Sequence, residues 1–184
     1  MTKLEIFAQS VGIIAMALNV ISFQFKKQKT IILIQLLVAA LFSVNFILLG
    51  AFVGGILNFI GIGRAIVFVN KDKFHAESKA WLFTFVSLYL ISFALNFTVL
   101  GMELTLTNII IQLLPVIGET ALTVGFRLKT SAHTRKCALV SSPSWLVYNV
   151  IVGSWGAIIC EIFTLFSVVL GIIRHDKSST CETH

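Results

Sequence analysis

Arg64, Glu119 and Glu161 are ionisable side chains set inside long apolar runs of a 184-residue chain. A charge held at the centre of a bilayer costs about 2.5–3.5 kcal/mol or more, so each of these groups needs a partner, a ligand or a transported ion. Arg64 and Glu119 lie at similar depth, roughly 8–10 Å from one end of their runs at about 1.5 Å per residue. A salt bridge between them is one expectation. The alternative is that Arg64 snorkels to the surface and Glu119 takes a lysine from a loop. Glu161 lies near the middle of its run, where a solute or proton site would be placed.

The elements that must carry these residues follow from composition. Hydrophobic residues make up 57% of the chain and charged residues 12%, against roughly 25% charged in soluble proteins. That balance excludes a soluble domain and a disordered chain and implies the lipid bilayer as the solvent. Apolar runs bounded by charge or glycine fall at 6–25, 30–49, 51–69, 80–97, 106–126, 137–152 and 154–173. They predict seven transmembrane helices, with tight hairpins at Gly50 and Gly153. Apart from Arg64, lysine and arginine gather at one set of helix ends: Lys26, Lys27 and Lys29, Lys71, Lys73 and Lys79, Arg127, Lys129, Arg135 and Lys136, Arg174 and Lys177. Lys3 alone falls at the other. This bias predicts an N-terminus outside and a C-terminus in the cytoplasm. It also makes the net charge of +6 an orientation signal, so no nucleic acid is expected as a partner. Ala15-Met16-Ala17 imitates a signal-peptidase site, but the apolar run continues to Phe25 and ends in Lys26-Lys27, so retention is expected. Cys137, Cys160 and Cys181 show neither CxxC spacing nor a disulfide framework.

An internal repeat organises the helices. Leu48 to Gly55 stands beside Ile151 to Ile158 in a register of 103 residues, and each hairpin follows a basic loop. The expectation is one transmembrane domain of three parts: a three-helix bundle at 1–70, a linker helix at 80–97 and a second bundle at 106–175, with a tail at 176–184. A single helix between two three-helix units makes the repeats parallel, the 3+1+3 plan of SWEET transporters. The register pairs Asn58 with Glu161, Phe42 with Trp145 and Asn45 with Tyr148. Each bundle would thus offer a polar group, an aromatic face and a cap to one solute site between the repeats, as small-molecule sites require. Interhelical hydrogen bonding for Asn58, and plain packing for Phe42 and Trp145, are the structural alternatives. Asn149, Asn19, Gln35 and Gln112 are weaker candidates. Pro115 and Pro143 interrupt the backbone ladder of their helices and are candidate hinges.

Leu113 to Gly118, Trp145 to Asn149 and the stretch from Gly153 to Glu161 resemble the YgjV-type bacterial inner-membrane proteins, and the resemblance covers the whole chain. That family is similar in fold to the SWEET, PQ-loop and PnuC-type transporters. The resemblance implies a solute held between two three-helix bundles that rock about prolines, with a substrate-facing Asn on the third helix of each bundle and often a Trp on the second. Asn58 and Trp145 match; Glu161 and Phe42 depart, and Val116 follows Pro115 where a PQ motif has Gln. A carboxylate in place of an amide argues against a neutral sugar and for a cationic, amine-bearing or proton-coupled solute.

No GxSxG, HExxH, P-loop or CxxC pattern occurs, so no enzyme, metal site or cofactor is expected. The leading expectation is a secondary transporter or facilitator of a small polar solute working by alternating access in the bacterial inner membrane. The alternative is a receptor or accessory membrane protein that binds a peptide, lipid or partner protein without moving solute, and flux into proteoliposomes separates the two. Sequence leaves the solute and the oligomeric state open.

Overall fold

The computed structural model describes residues 3–48, 52–151 and 155–176, and the described residues form eight helices with no strand. They are α1 (Lys3–Ser22), α2 (Gln28–Leu48), α3 (Phe52–Val69), the single turn α4 (Lys71–Phe74), α5 (Lys79–Thr98), α6 (Leu106–Arg127), α7 (Ser131–Ile151) and α8 (Trp155–His175). The hairpin glycines Gly50 and Gly153 lie outside the described residues, as does the tail beyond Asp176. Three boundaries differ from the sequence expectation by three residues or more, and the first helix starts at Lys3, ahead of the expected 6. The first helix stops at Ser22, whose hydroxyl turns back to the Asn19 carbonyl. The seventh starts at Ser131, six residues before the expected 137, because the Thr130 hydroxyl accepts from the His133 N–H and caps a polar first turn. Hydropathy ignores such caps. Similar hydroxyl caps open α5 at Ser78 and α6 at Thr105. Gly101, at φ 69°, takes the left-handed turn in the link between α5 and α6, a conformation open to glycine at no steric cost.

Four helices (Gln28–Leu48, Lys79–Thr98, Leu106–Arg127 and Ala157–His175) are long and apolar enough to cross a membrane. Ile6–Ser22 and Gly54–Val69 are shorter apolar helices. Polarity is turned inward throughout: Gln35, Asn45, Arg64, Gln112, Asn149 and Thr164 are buried, while Phe7, Phe59, Phe83, Ile110, Val150 and Phe166 are exposed. Such continuous apolar exposure is suited to lipid and is far beyond the patches a soluble monomer tolerates.

Helix contacts close into a ring. α1 packs on α2, α2 on α3, α3 on α6, α6 on α7, α7 on α8, and α8 back on α1. α5 lies against α3 and α6, fixed by an aromatic ladder in which Trp81 stacks on Phe85 at 6.0 Å and Phe68 meets both Phe85 and Phe126. Trp81 also donates its indole N–H to the Phe74 carbonyl at 2.8 Å, which fastens α4 to α5.

The basic end is tied by hydrogen bonds that the sequence reading does not anticipate. Arg135 is fully buried and forms a two-pronged ion pair with Asp176, at 3.0 Å from Nε and 2.5 Å from Nη2. Its other nitrogen donates to the Phe23 and Phe25 carbonyls, and Nη2 also donates to Ser131. Gly171 makes room for this clamp, because a Cβ there would lie 2.5 Å from the Phe23 carbonyl oxygen and 2.9 Å from Arg135 Cδ. Alongside, Lys71 donates to Gln28 and to the Leu128 carbonyl, while Gln28 donates to Gly125, Leu128 and Thr134. Burial pushes the Lys71 ammonium below the usual lysine range, opposed by Glu77 and reinforced by Lys129.

Candidate functional site

The ring of six helices lines a partly open cavity of about 540 Å³, within the range of small-molecule sites. α5 contributes none of its lining. On α7 the lining residues Ala138, Ser141, Ser142, Trp145 and Asn149 recur at spacings of three and four, which places them in one stripe along the helix. The Trp145 ring is seated against α6 at Gly118, where an added Cβ would approach it to 3.0 Å.

The two halves line the cavity in register. Phe42 and Trp145, Phe46 and Asn149, Leu57 and Cys160, Asn58 and Glu161, Gly61 and Thr164, and Met16 and Glu119 all face the same space, and each pair is 103 residues apart. Asn45 lines the cavity; its register partner Tyr148 does not. Tyr148 packs edge-on against Trp145 at 5.8 Å and turns its hydroxyl to Gln112. Its neighbour Asn149 takes the lining position, one helical step of about 100° away. Asn45 is itself engaged, donating to the Ala8 carbonyl at 2.7 Å and so fastening α2 to α1. Asn58 donates to the Gly54 carbonyl one turn back in its own helix, which leaves its side-chain oxygen as an acceptor for the cavity.

Charge is confined to three lining residues among those described: Arg64, Glu119 and Glu161. Arg64 is 5% exposed and Glu119 13%, and their side chains meet at 2.5 Å, joining α3 to α6. The same Arg64 nitrogen reaches Tyr89 on α5, the Glu119 carbonyl and Thr123, while its guanidinium lies 5.1 Å from the Phe126 ring centroid. Arg64 Nε is buried without a hydrogen-bond partner. The pair is therefore one-pronged, unlike the Arg135–Asp176 clamp.

The opposite seam is neutral. Asn19 on α1 donates to Thr164 on α8 at 2.9 Å and accepts from Gln35 on α2 at 2.7 Å. Ser167 donates to the Val20 carbonyl, and Gln24 to Ser167. Glu161 lies between the seams, facing the Ser142 hydroxyl and within electrostatic range of Glu119. It takes part in none of the ion pairs among the described residues.

A family model for bacterial inner membrane proteins, Imp-YgjV, matches residues 6–179. The chain belongs to the Imp-YgjV family. No curated protein and no solved structure matches it. As an Imp-YgjV protein it is a protein of the bacterial inner membrane, in keeping with its inward polarity.

Within this Imp-YgjV chain the two prolines sit inside their helices: Pro115 is buried in α6, and Pro143 lies in α7 beside the lining residue Ser142. Sequence reasoning missed Tyr89 and Thr123, which complete the Arg64 network, and Gln9, Ser141, Ser142 and Thr164 in the cavity wall. The serines had a readable signal, since with Trp145 and Asn149 they form a helical stripe. Tyr89 had none, because nothing in the spacing joins α5 to Arg64.

Proposed function

We propose that the protein is a secondary transporter or facilitator of a small polar solute, working by alternating access between α1–α3 and α6–α8. In this reading the seven long helices all span the membrane in a 3+1+3 parallel repeat, α5 is the linker, and the basic end faces the cytoplasm. The observation that carries it is the cavity between the halves, lined by residue pairs one repeat apart. A binding site at a repeat interface is where rocking of one unit against the other exposes a solute first to one side and then to the other. α7, the most polar of the long helices, fits a span because Ser141, Ser142 and Asn149 are buried while Val140, Val147, Val150 and Ile151 point outward.

The test is uptake of a mixed pool of labelled small polar solutes into proteoliposomes, analysed by mass spectrometry. Wild type accumulates at least one solute above empty vesicles, and Asn58→Ala, which removes a lining acceptor, slows that uptake about tenfold or more, the loss of roughly 1.4 kcal/mol. Saturable binding without uptake overturns transport and decides for the receptor reading. Equal uptake by wild type and Asn58→Ala removes Asn58 from the site.

A further inference from the structure

Among the described residues, the charged side chains that line the cavity are Arg64, Glu119 and Glu161. Arg64 and Glu119 neutralise each other at the α3–α6 seam. Glu161 is the lining carboxylate without a cation among the described residues. A carboxylate in a low-dielectric cavity needs either a proton or a positively charged partner, and no described side chain supplies that partner here, which leaves the place open to a cationic solute.

The walls around Glu161 suit an organic cation better than a metal ion. Ser142, which the carboxylate faces, lies three residues from Trp145 on the same stripe of α7. α2, which packs on α7, brings Phe42 and Phe46 to the cavity, their rings stacked at 5.9 Å. Aromatic faces attract a cation through their quadrupole, most strongly when both are shielded from water. No group of three metal-ligating side chains comes together among the described residues, whereas about 540 Å³ holds a small organic molecule with room for its uncharged part.

We propose that the solute is a monovalent organic cation, an amine or quaternary ammonium, whose charge is held by Glu161 between the Trp145 and Phe42 faces. This rests on the transport reading for the site but makes a separate claim about charge. Glu161 neutralises the solute during passage, Ser142 orients the carboxylate, and the Asn58 oxygen accepts from a polar group on the solute.

The experiment is thermal stabilisation and isothermal titration of the full-length protein in detergent with matched pairs of probes. Choline is paired with 3,3-dimethylbutan-1-ol, and tyramine with 4-ethylphenol; glucose and succinate complete the set. At least one cation is expected to bind about tenfold or more tightly than its neutral counterpart, a difference of about 1.4 kcal/mol. Glu161→Gln, nearly isosteric, abolishes that preference, Glu161→Asp retains it, and Trp145→Leu weakens cation binding several-fold. Gel filtration and circular dichroism establish that each variant is folded; should Glu161→Gln fail to fold, Trp145→Leu and Glu161→Asp carry the comparison. Equal binding of a neutral counterpart, cation binding undiminished in Glu161→Gln, or no binding of either cation overturns the proposal. Glucose or succinate uptake without cation binding overturns it and leaves transport standing. Cation binding without uptake does the reverse.

Discussion

Replacing Arg64 by methionine while Glu119 remains is expected to destabilise the folded protein by about 3–5 kcal/mol, the cost of leaving a buried carboxylate without its cation. The pair is 5% and 13% exposed, so solvent gives little relief, and Tyr89 and Thr123 lose their shared donor as well. The double variant Arg64→Met with Glu119→Leu removes both charges and should recover most of the loss, since an apolar replacement of a buried pair is often neutral or better. Denaturation in mixed micelles, followed through a double-mutant cycle, measures the coupling. Additive effects of the two single substitutions would mean that the ion pair carries no coupling energy. The incomplete satisfaction of Arg64, with Nε unpartnered, suits a contact that is released rather than one that is permanent.

Arg135 is the fully satisfied counterpart, and its bonds to the Phe23 and Phe25 carbonyls are contacts between the halves that must part whenever the basic end opens. Its guanidinium is fully exhausted by Asp176, two carbonyls and Ser131, and it binds the start of α7 to the end of α8 and to the link after α1. Arg135→Ala strands Asp176 and frees two carbonyls, so a loss of about 3–5 kcal/mol is expected. Arg135→Lys should recover less than half of that, because an ammonium cannot reproduce the planar fork. Gly171→Ala should destabilise through the same clamp by about 1–3 kcal/mol as the Phe23 carbonyl and Arg135 are pushed aside. Gly63→Ala, with nothing within 4 Å of its added carbon, is the control and should be neutral or gain about 0.5–1 kcal/mol. Chemical denaturation of the four variants measures the series; an Arg135→Lys protein as stable as wild type would show that charge alone, and not geometry, closes the basic end.

These two arginines show what the sequence makes legible. The membrane class, the segment positions and the 103-residue register are written in hydropathy and in short local matches, which need no tertiary knowledge. The register also brings Asn58, Glu161, Phe42 and Trp145 to one cavity, because equivalent positions on equivalent helices face the same space. Rotation about a helix axis is a finer matter. A single step of about 100° separates Tyr148, which points to Gln112, from Asn149, which lines the cavity. Arg135 reads as one more cation of a basic loop until Thr130 caps α7 six residues earlier than hydropathy implies and carries Arg135 onto the helix. Polar contacts between distant segments, such as Asn19 with Thr164 or Tyr89 with Arg64, leave no periodic trace at all.

Under the alternating-access proposal the halves rock about the cavity, and the α3–α6 ion pair is the contact expected to hold one of the two states. Spin labels report this directly when placed on Ile47 and Val150 at one end and on Lys29 and Lys136 at the basic end, all exposed positions, in a background with the native cysteines replaced by alanine. Double electron–electron resonance in lipid nanodiscs should show two distance populations at each end. Arg64→Met combined with Glu119→Leu should lengthen the basic-end distance while shortening the other. A single narrow distance at both ends, unchanged when the ion pair is removed, would contradict alternating access.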